Sequence, residues 1–501
     1  MDADAALSLV NTIYARLAAR RAGFQTLEDY YAGQQPLSFA TEEWKKANAS
    51  RYADFSDNWC GPVADAAGER IRHTGIKLGD DKRAAQKLWT QWGRNEMDMQ
   101  ASQGVLSTLI TSRSYVIVWG DRKTDEPIVS WEHGANVEIE YDWSNLRRPK
   151  AALKAWVDGD FEYGILYTDT ELWKFRKPRI QPQDARQSQA RQAKLGRAEQ
   201  GTWKQWQPEG DDVWPLPNPL GEVPVVEMPN RPMLAGDPKS EIAGVMSMQD
   251  AINLLWAYLF LSADYASMPA RVVLHQGPPM MPILDASGQR IGEKPVDIKE
   301  LAEKRLLYLS GKDTTIDSWE AAKLDVFGDV IEMAVGHIAA QTRTPPTYLV
   351  SKTGMANVNG EGLKASEIGL VKKTLEFHTF ASPALRRMYR LIALAMNDKP
   401  LADLASLATI SWMNPEIRSE AQLADALVKK KQMGYPLEYL MELDGLPPEE
   451  VSRVMAMVEQ EQFDPQVERA MRELSDLGDT GGDADVLPNA AADRGEDGLS
   501  S

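Results

Sequence analysis

The chain has little of the chemistry on which disulfide-stabilised and metal-binding proteins depend. Among its 501 residues there is a single cysteine, Cys60, which excludes a disulfide framework within the chain and any cysteine-rich metal site. The five histidines lie far apart, and none is spaced three or four residues from another histidine or from the cysteine, so no zinc site is predicted. We therefore expect no metal and no cofactor.

Long hydrophobic runs are also missing. The longest mostly apolar stretch, residues 251–263, covers about 13 residues, whereas a membrane-spanning helix needs about 20. The N-terminal sequence MDADAALSLV carries two acids and lacks the basic flank and long apolar core of a signal peptide. We expect a soluble, multi-domain protein with no membrane partner.

Positive charge is scarce as well. The chain holds 73 acidic and 56 basic residues, a net charge of −17. Residues 461–501 contain 11 acids and 3 bases, hence −8 of that total, and the Gly/Asp/Ala-rich part at 478–501 is expected to be a disordered acidic tail. The one basic patch, residues 174–200, has 8 bases and 2 acids and is typical of a solvated loop or helix. This balance excludes a tight, sequence-reading DNA binder.

Catalytic motifs are absent from the sequence. There is no G-x-x-x-x-G-K-[ST] phosphate-binding loop and no G-x-S-x-G nucleophile elbow. Two Gly-Asp-Asp triplets, at 79–81 and 210–212, resemble metal-binding carboxylates, but polar loops contain such triplets by chance. We predict no catalytic residue and no enzymatic activity.

The hydrophobic pattern predicts a mostly helical α+β protein. Apolar residues recur at helical spacing in 5–22 and 82–99, and then again in 103–112. From residue 114 to 175 the sequence consists of short runs of β-branched and aromatic residues separated by turn signals, which favours antiparallel strands. Seven prolines within residues 215–238 exclude a helix there.

Long helices dominate the second half. One is predicted over 241–266, capped by Ser240, and its centre is apolar nearly all round, so it must pack on more than one side. A second is predicted over 318–342. Pro383 is expected to open a new helix and thus to separate 363–380 from 383–397.

Five short strings, in a fixed order along the chain, carry a family resemblance. They are DYYAGQQPL at 29–37, RYADFSDNWC at 51–60, the stretch from LPNPLG to NRP within 216–232, QTRTPP at 341–346 and GEGLKASE at 360–367. Together with the order helix, strand, loop, strand, helix, Gly/Asn-rich loop and long helix, they resemble the portal proteins of tailed bacteriophages, in particular those of phages of actinobacteria.

The resemblance implies both a fold and a function. It implies a dodecameric ring at one capsid vertex, through which double-stranded DNA is packaged and ejected without sequence-specific contacts. The implied partners are the major capsid and scaffolding proteins, the terminase large subunit and a head-completion or adaptor protein. The implied location is the virion, after assembly in the host cytoplasm. The implied portal fold has a β-rich wing, long stem helices, a small α/β clip and a helical crown. The regions would be a wing at 1–238, stem helix 1 at 239–267, a clip at 268–317, stem helix 2 at 318–343, a tunnel loop at 344–362, wing helices at 363–400, a crown at 401–477 and the tail at 478–501.

Two sets of candidate site residues follow from that resemblance. The tunnel loop would offer DNA contacts, and the apolar centre of stem helix 1 would form subunit interfaces, although simple solvation or core packing are the competing interpretations. The tunnel-loop set is Lys352, Thr353, Gly354, Asn357, Asn359 and Glu361, and the stem set is Leu255, Trp256, Tyr258, Leu259 and Phe260.

Two other classes of function stay open beside the portal. One is a DNA-packaging enzyme, a nuclease or translocase, which would need clustered carboxylates or a phosphate-binding loop. The other is a scaffold or adaptor of the phage head that forms no ring. The acidic charge fits a portal, because a negative channel would repel phosphates and let DNA slide.

Overall fold

A computed structural model describes most of the chain. The described residues are 1–35, 55–120, 126–178, 202–207, 215–234, 236–267, 271–274, 280–284, 286, 288–295, 306–309, 316–318, 323–349, 360–416 and 420–462. They form a mixed α+β protein that divides into two compact units, Met1–Arg418 and Ser419–Ser501. The predicted fold class is confirmed.

The first unit begins with helices that end where the local sequence demands it. The side chain of Asp2 caps the first helix by accepting from the Ala5 amide at 2.7 Å, and Gly33, with φ +71°, ends it in the left-handed region. The stretch predicted as one helix over 82–99 is broken, because Glu96 adopts φ +53° and starts a new helix. These helices are α1 (Ala3–Ala32), α2 (Cys60–Gly68), α3 (Lys82–Arg94) and α4 (Met97–Thr111).

The β-rich region contains the predicted antiparallel strands. Strand β1 (His73–Lys77) pairs with a distant strand described below, and the strands β2 (Arg113–Gly120) and β3 (Pro127–His133) form a hairpin. A larger sheet orders its strands β4-β5-β6-β7-β8, with β9 paired to β7, while β10 adds to β2. The remaining strands here are β4 (Val137–Asp142), β5 (Asn145–Asp158), β6 (Phe161–Tyr167), β7 (Glu171–Pro178), β8 (Lys204–Gln205), β9 (Leu216–Pro217) and β10 (Val225–Pro229).

One face of this larger sheet is covered by α1. Val10, Ile13 and Leu17 recur at helical spacing and are fully buried against alternate residues of β5, such as Leu153 and Ala155. A period of three to four thus meets a period of two, which is how a helix packs on a pleated sheet.

The described residues between 268 and 317 lie in strands and turns. Strand β11 (Arg271–Leu274) pairs in parallel with β14 (Leu306–Leu309) and antiparallel with β15 (Ile316–Ser318). A separate antiparallel hairpin joins β12 (Met280–Leu284) to β13 (Arg290–Pro295).

Two long helices start later in the chain than predicted. The amides of Ile242 and Ala243 donate to the Ser240 hydroxyl at the 3-10 turn Ala243–Val245, and α5 then runs over Met246–Ser267, about 33 Å. Helix α6 starts only at Asp325, because residues 316–318 pair in a sheet, and runs to Thr342. A short helix, α7 (Pro346–Leu349), follows α6.

Helix α8 (Gly360–Ala395) passes through Pro383 without a break, so the predicted separation into two helices is wrong. Pro383 lies on the exposed side, where water can satisfy the carbonyl that loses its amide donor. On the other side Ala381, Leu385 and Met388 are buried in one continuous core with Phe377. Packing on both sides of the proline therefore outweighs the missing hydrogen bond.

The first unit closes with α9 (Lys399–Ala405) and strand β16 (Thr409–Trp412), which pairs antiparallel with β1 across more than 300 residues of sequence. The second unit holds three helices in its described part: α10 (Glu420–Gln432), α11 (Leu437–Asp444) and α12 (Pro448–Gln462). The division of the chain into wing, stem, clip and crown stays a prediction.

Candidate assembly site at the long helices

The N-terminal half of α5 presents a polar face to the interior of the chain. Gln249 and Asn253, four residues apart, are 0% and 2% exposed. The Trp59 amide donates to Gln249 Oε1 at 2.7 Å, and the Asp57 amide donates to Asn253 Oδ1 at 3.0 Å. Gln249 Nε2 in turn donates to the Asp57 carbonyl. These side chains satisfy backbone groups of the segment that leads into α2.

The carboxylate of Asp57 fixes the aromatic part of α5. It accepts from Trp256 Nε1 at 2.7 Å and from Trp59 Nε1 at 3.1 Å. The Trp256 ring also lies against Phe55 and Phe260, with ring centroids 5.9 and 5.5 Å away. Trp256 is thus held by its own subunit.

A second polar contact ties α5 to α1. The Tyr30 hydroxyl lies 2.8 and 2.7 Å from the two carboxylate oxygens of Asp250. Burial, together with this carboxylate, raises the pKa of Tyr30 well above its ordinary value. The same two causes raise the pKa of the buried Cys60 thiol to about 12, so this cysteine is a poor nucleophile at neutral pH.

A buried ion pair lies where three helices meet: just before α5, at the end of α6 and within α8. Lys373 Nζ lies 3.3 Å from Glu241 Oε2, with side chains 3% and 2% exposed. Lys373 also donates to the carbonyl of Thr342 at 2.9 Å, and Asn230 Nδ2 donates to Glu241 Oε1 at 3.0 Å. Burial lowers the pKa of Lys373 despite the adjacent carboxylate. The pair fixes three elements that are distant in sequence at one point.

A second ionic contact holds the start of α8. Arg70 lies 2.6 Å from the carboxylate of Glu367, two turns into that helix. The same guanidinium donates to the Tyr348 hydroxyl at 2.5 Å and to the Pro415 carbonyl at 3.1 Å. The residues that precede α8 are therefore joined to a firmly anchored helix.

The outer side of α6 is apolar and exposed. Its inner residues Ile331, Val335 and Ile338 are buried with Ile252 of α5. On the opposite side Val326, Val330 and Met333, spaced by four and three, are 56%, 40% and 61% exposed. We call these three residues the outer stripe.

The predicted stem residues all lie on α5, but their surroundings differ. Tyr258 is exposed, whereas Leu255 and Trp256 pack against the buried cluster between α5 and α6. Leu259 and Phe260 are half-buried. Whether these five residues form a subunit interface stays a prediction.

The predicted tunnel-loop residues fall mostly outside the described residues. Lys352, Thr353, Gly354, Asn357 and Asn359 lie there, and Glu361 belongs to the first turn of α8. Their contact with DNA stays a prediction.

Sequence reasoning missed the polar residues that hold the long helices in place. Gln249 and Asn253 could have been recognised from the sequence, since two amides four residues apart at the start of an apolar helix indicate a polar face. Lys373 and Glu241 could not have been, because 132 residues separate them. No group of three or more His, Cys, Asp or Glu side chains suited to a metal ion occurs among the described residues. Within the same residues, no helix is both long enough and apolar enough to cross a bilayer.

Comparison with known proteins shows the family to which this chain belongs. The sequence model of the family described as "Phage portal protein, SPP1 Gp6-like" matches residues 11–462. The chain belongs to this family of phage portal proteins. It is thus a structural component of the phage virion, as predicted.

Individual relatives of this portal family member are distant. The portal protein of Mycobacterium phage D29 is 25% identical over 424 residues, 79% of each chain. The portal protein of Mycobacterium phage L5 is 26% identical over 383 residues, 73% of this chain and 70% of that protein. Among solved structures, a chain from the neck of a native gene transfer agent particle, computed with C12 symmetry, aligns over 82% of this chain and 95% of its own, with 12% identity and a TM-score of 0.41.

Proposed function

We propose that twelve copies of this chain form a closed ring at one capsid vertex, and that double-stranded DNA passes through the ring during packaging and ejection. The match of the portal family to residues 11–462 carries the proposal. The number twelve and the position at the vertex are what the family resemblance implies.

The exposed outer stripe of α6 supports assembly into a ring. A helix that exposes Val326, Val330 and Met333 presents an apolar surface that a neighbouring copy can bury. Closed rings use such heterologous contacts, in which one face of a subunit meets a different face of the next. Tyr258, exposed on α5, is our candidate for a partner surface on the neighbouring copy.

The loop before α8 is our candidate for the contact with moving DNA. Its predicted residues from Lys352 to Asn359 precede a helix of 36 residues, and Glu361 lies in the first turn of that helix. Arg70 and Lys373 anchor the helix to the rest of the unit. A loop on a rigid support can touch a passing duplex by shape without reading its sequence. The remaining proposed partners are the terminase large subunit, the head-completion or adaptor protein, and the capsid and scaffolding proteins.

Electron microscopy of the purified chain tests the ring directly. We expect annular particles with a central hole about as wide as a DNA duplex, alone or with the capsid protein. Persistent monomers in both conditions would instead support a scaffold or adaptor without a ring. Hydrolysis of ATP or cleavage of DNA by the purified chain would support a packaging enzyme.

Deletion of residues 354–360 tests the loop separately. We expect rings of normal appearance and a defect in packaging or retaining DNA. If the deletion abolishes ring formation, the loop has an assembly role and the proposed DNA contact is wrong.

A further inference from the structure

A basic cleft lies between the start of strand β5 and the second half of helix α8. It has a volume of about 970 Å³. Arg147, Arg148 and Lys150 line it from the strand, and Arg387 and Arg390 line it from the helix. We call these five side chains and the space between them the arginine cleft.

Arg387 is half-buried and has few partners for its charge. Its Nε is buried without a hydrogen-bond partner, and its NH1 makes one long contact, 3.3 Å, to the carbonyl of Arg147. Among the described residues no carboxylate lies within ion-pair distance of it. Burial lowers the pKa of Arg387, although the nearby Glu222 carboxylate partly opposes this shift. Burial of an incompletely paired charge destabilises a fold unless something else binds the charge.

Arg390, in the same cleft, has carboxylate partners for its guanidinium group. Its Nε and NH2 each lie 2.9 Å from Glu222, and its NH1 donates to Asp403 at 2.8 Å. The Glu222 carboxylate is therefore engaged by Arg390. The contrast between two arginines one helical turn apart is that Arg390 has carboxylate partners and Arg387 has none among the described residues.

The charge of the cleft opposes that of the chain. Five cationic side chains line it against three carboxylates, those of Asp142, Asp169 and Glu222, which leaves a surplus of two positive charges. Asp142 is occupied by the Ser144 amide and hydroxyl at 2.9 and 2.8 Å. In a chain of net charge −17, such a concentration of cations is a local attraction for anions.

We propose that the arginine cleft binds the phosphate backbone of DNA, with Arg387 as its innermost contact. Arginine and lysine side chains, helped by Thr, Asn and amide groups, make the contacts by which proteins hold DNA without reading its sequence. Asn145, Thr168 and Thr170 also line this cleft. The proposal rests on the proposed function only in naming DNA as the source of the phosphates.

The first experiment measures binding of a duplex oligonucleotide to the full chain by fluorescence anisotropy at several salt concentrations. The variant Arg147→Gln/Arg148→Gln/Lys150→Gln changes three exposed residues, so its fold should be retained. We expect weaker binding and a log–log salt slope that is smaller by about 3, one for each phosphate that the variant no longer neutralises. The control Lys429→Gln/Lys430→Gln/Lys431→Gln removes the same charge from α10 and should leave both quantities near the wild-type values. Equal behaviour of the two triple variants would overturn the proposal.

The second experiment measures thermal unfolding in inorganic phosphate and in chloride of equal ionic strength. We expect phosphate to raise the melting temperature of the wild type, because a ligand of the folded state stabilises it. Arg387→Met should melt at or above the wild-type temperature in chloride, since an unpaired buried charge is removed, and it should lose the phosphate effect. A lower melting temperature in chloride with an unchanged phosphate effect would give Arg387 a purely structural role and overturn the assignment.

A competition experiment separates the possible sources of the anion. If poly-glutamate displaces the oligonucleotide and binds more tightly than DNA, the partner is an acidic polypeptide and the proposal is wrong. Binding of inorganic phosphate without binding of the duplex would also overturn it. Micrographs of the same variants should show rings; rings together with unimpaired DNA binding would refute the cleft and leave the proposed function intact.

Discussion

The inner face of α5 and the outer face of α6 are the two most different helical surfaces in the first unit. On α5, Gln249 and Asn253 are polar, buried and hydrogen-bonded to the segment around Asp57. On α6, the outer stripe is apolar and exposed. The usual arrangement, apolar inside and polar outside, is inverted on both.

The two inversions have different physical origins. A buried amide is tolerated when each of its polar atoms has a partner, and then it fixes one arrangement of the backbone. The exposed apolar stripe of α6 has no such compensation among the described residues, and its exposure to water is unfavourable until another surface covers it. The inner face of α5 therefore completes the fold of one subunit, whereas for the outer stripe of α6 we propose a role in association with the next.

The strongest test of this difference between α5 and α6 is to place charge on the outer stripe. The variant Val330→Asp/Met333→Asp should abolish ring formation in micrographs and size-exclusion chromatography. Its free energy of unfolding should stay within about 0.5–1 kcal/mol of the wild type, because both side chains are exposed. The control Thr90→Asp/Thr379→Asp adds the same charge at exposed positions of α3 and α8 and should still form rings. Normal rings from the stripe variant would refute its role in assembly.

The largest effect on stability is expected at the buried ion pair. Lys373→Met removes the closer cation from the buried Glu241 carboxylate and leaves only Arg231 NH1, 4.0 Å away, which should lower the free energy of unfolding by about 3–5 kcal/mol in urea titration. The double variant Glu241→Gln/Lys373→Met removes both charges and should regain much of that loss. The single variant Glu241→Gln completes the comparison. If the loss of unfolding free energy in the double variant equals the sum of the losses in the two single variants, the two residues are not coupled.

Two buried histidines make stability depend on pH. His73 contacts the Ser411 carbonyl and the Tyr389 hydroxyl, and His378 stacks on Trp412; burial lowers the pKa of each from 6.5 to about 4. Between these pH values the unfolded chain binds more protons than the folded one, so stability falls as the pH is lowered. From pH 7 to pH 5 each histidine should reduce the free energy of unfolding by roughly 2 kcal/mol.

The variant His378→Phe isolates one of these contributions. Its loss of stability between pH 7 and pH 5, followed by urea titration, should be smaller than that of the wild type by roughly 2 kcal/mol. His337→Gln, which replaces an exposed histidine of α6, should lose as much as the wild type. An identical pH dependence in all three proteins would contradict the neutral, buried state of His378.

The smallest effect distinguishes two neighbouring aromatic residues of α5. Trp256→Phe keeps an aromatic ring but removes the Nε1 donor to Asp57, which should cost about 1 kcal/mol of folding stability and leave ring assembly unchanged. Tyr258→Ala should have the opposite profile, with little change in folding stability and weaker assembly. Stability curves and sedimentation profiles of both variants check this, and the same profile for both would mean that they have the same role.

Local pattern explains what could be predicted from the sequence. The β-branched and aromatic run of β2 favours an extended strand, and the helical spacing of Val10, Ile13 and Leu17 is set by the 3.6-residue turn. Both depend only on near neighbours. The order of the five short strings, read as a resemblance, identified the portal family.

Helix α8 shows where local pattern fails. Pro383 is a reliable local signal for a helix start, yet the helix continues because Ala381, Leu385 and Met388 pack in one core and the proline faces solvent. Local pattern also fails to predict the ion pair of Glu241 and Lys373, because the pair forms only when a proline-rich segment and a distant helix meet.

The sequence by itself determined the α+β class, the strands of the β-rich region, the long helices and the family. Only the tertiary structure decided that α8 is continuous, that Trp256 is bound by Asp57 and that Arg387 stands without a carboxylate among the described residues. The physical reason is range: backbone propensity and periodicity act over one or two turns, whereas burial and charge pairing depend on which remote segments share the same space.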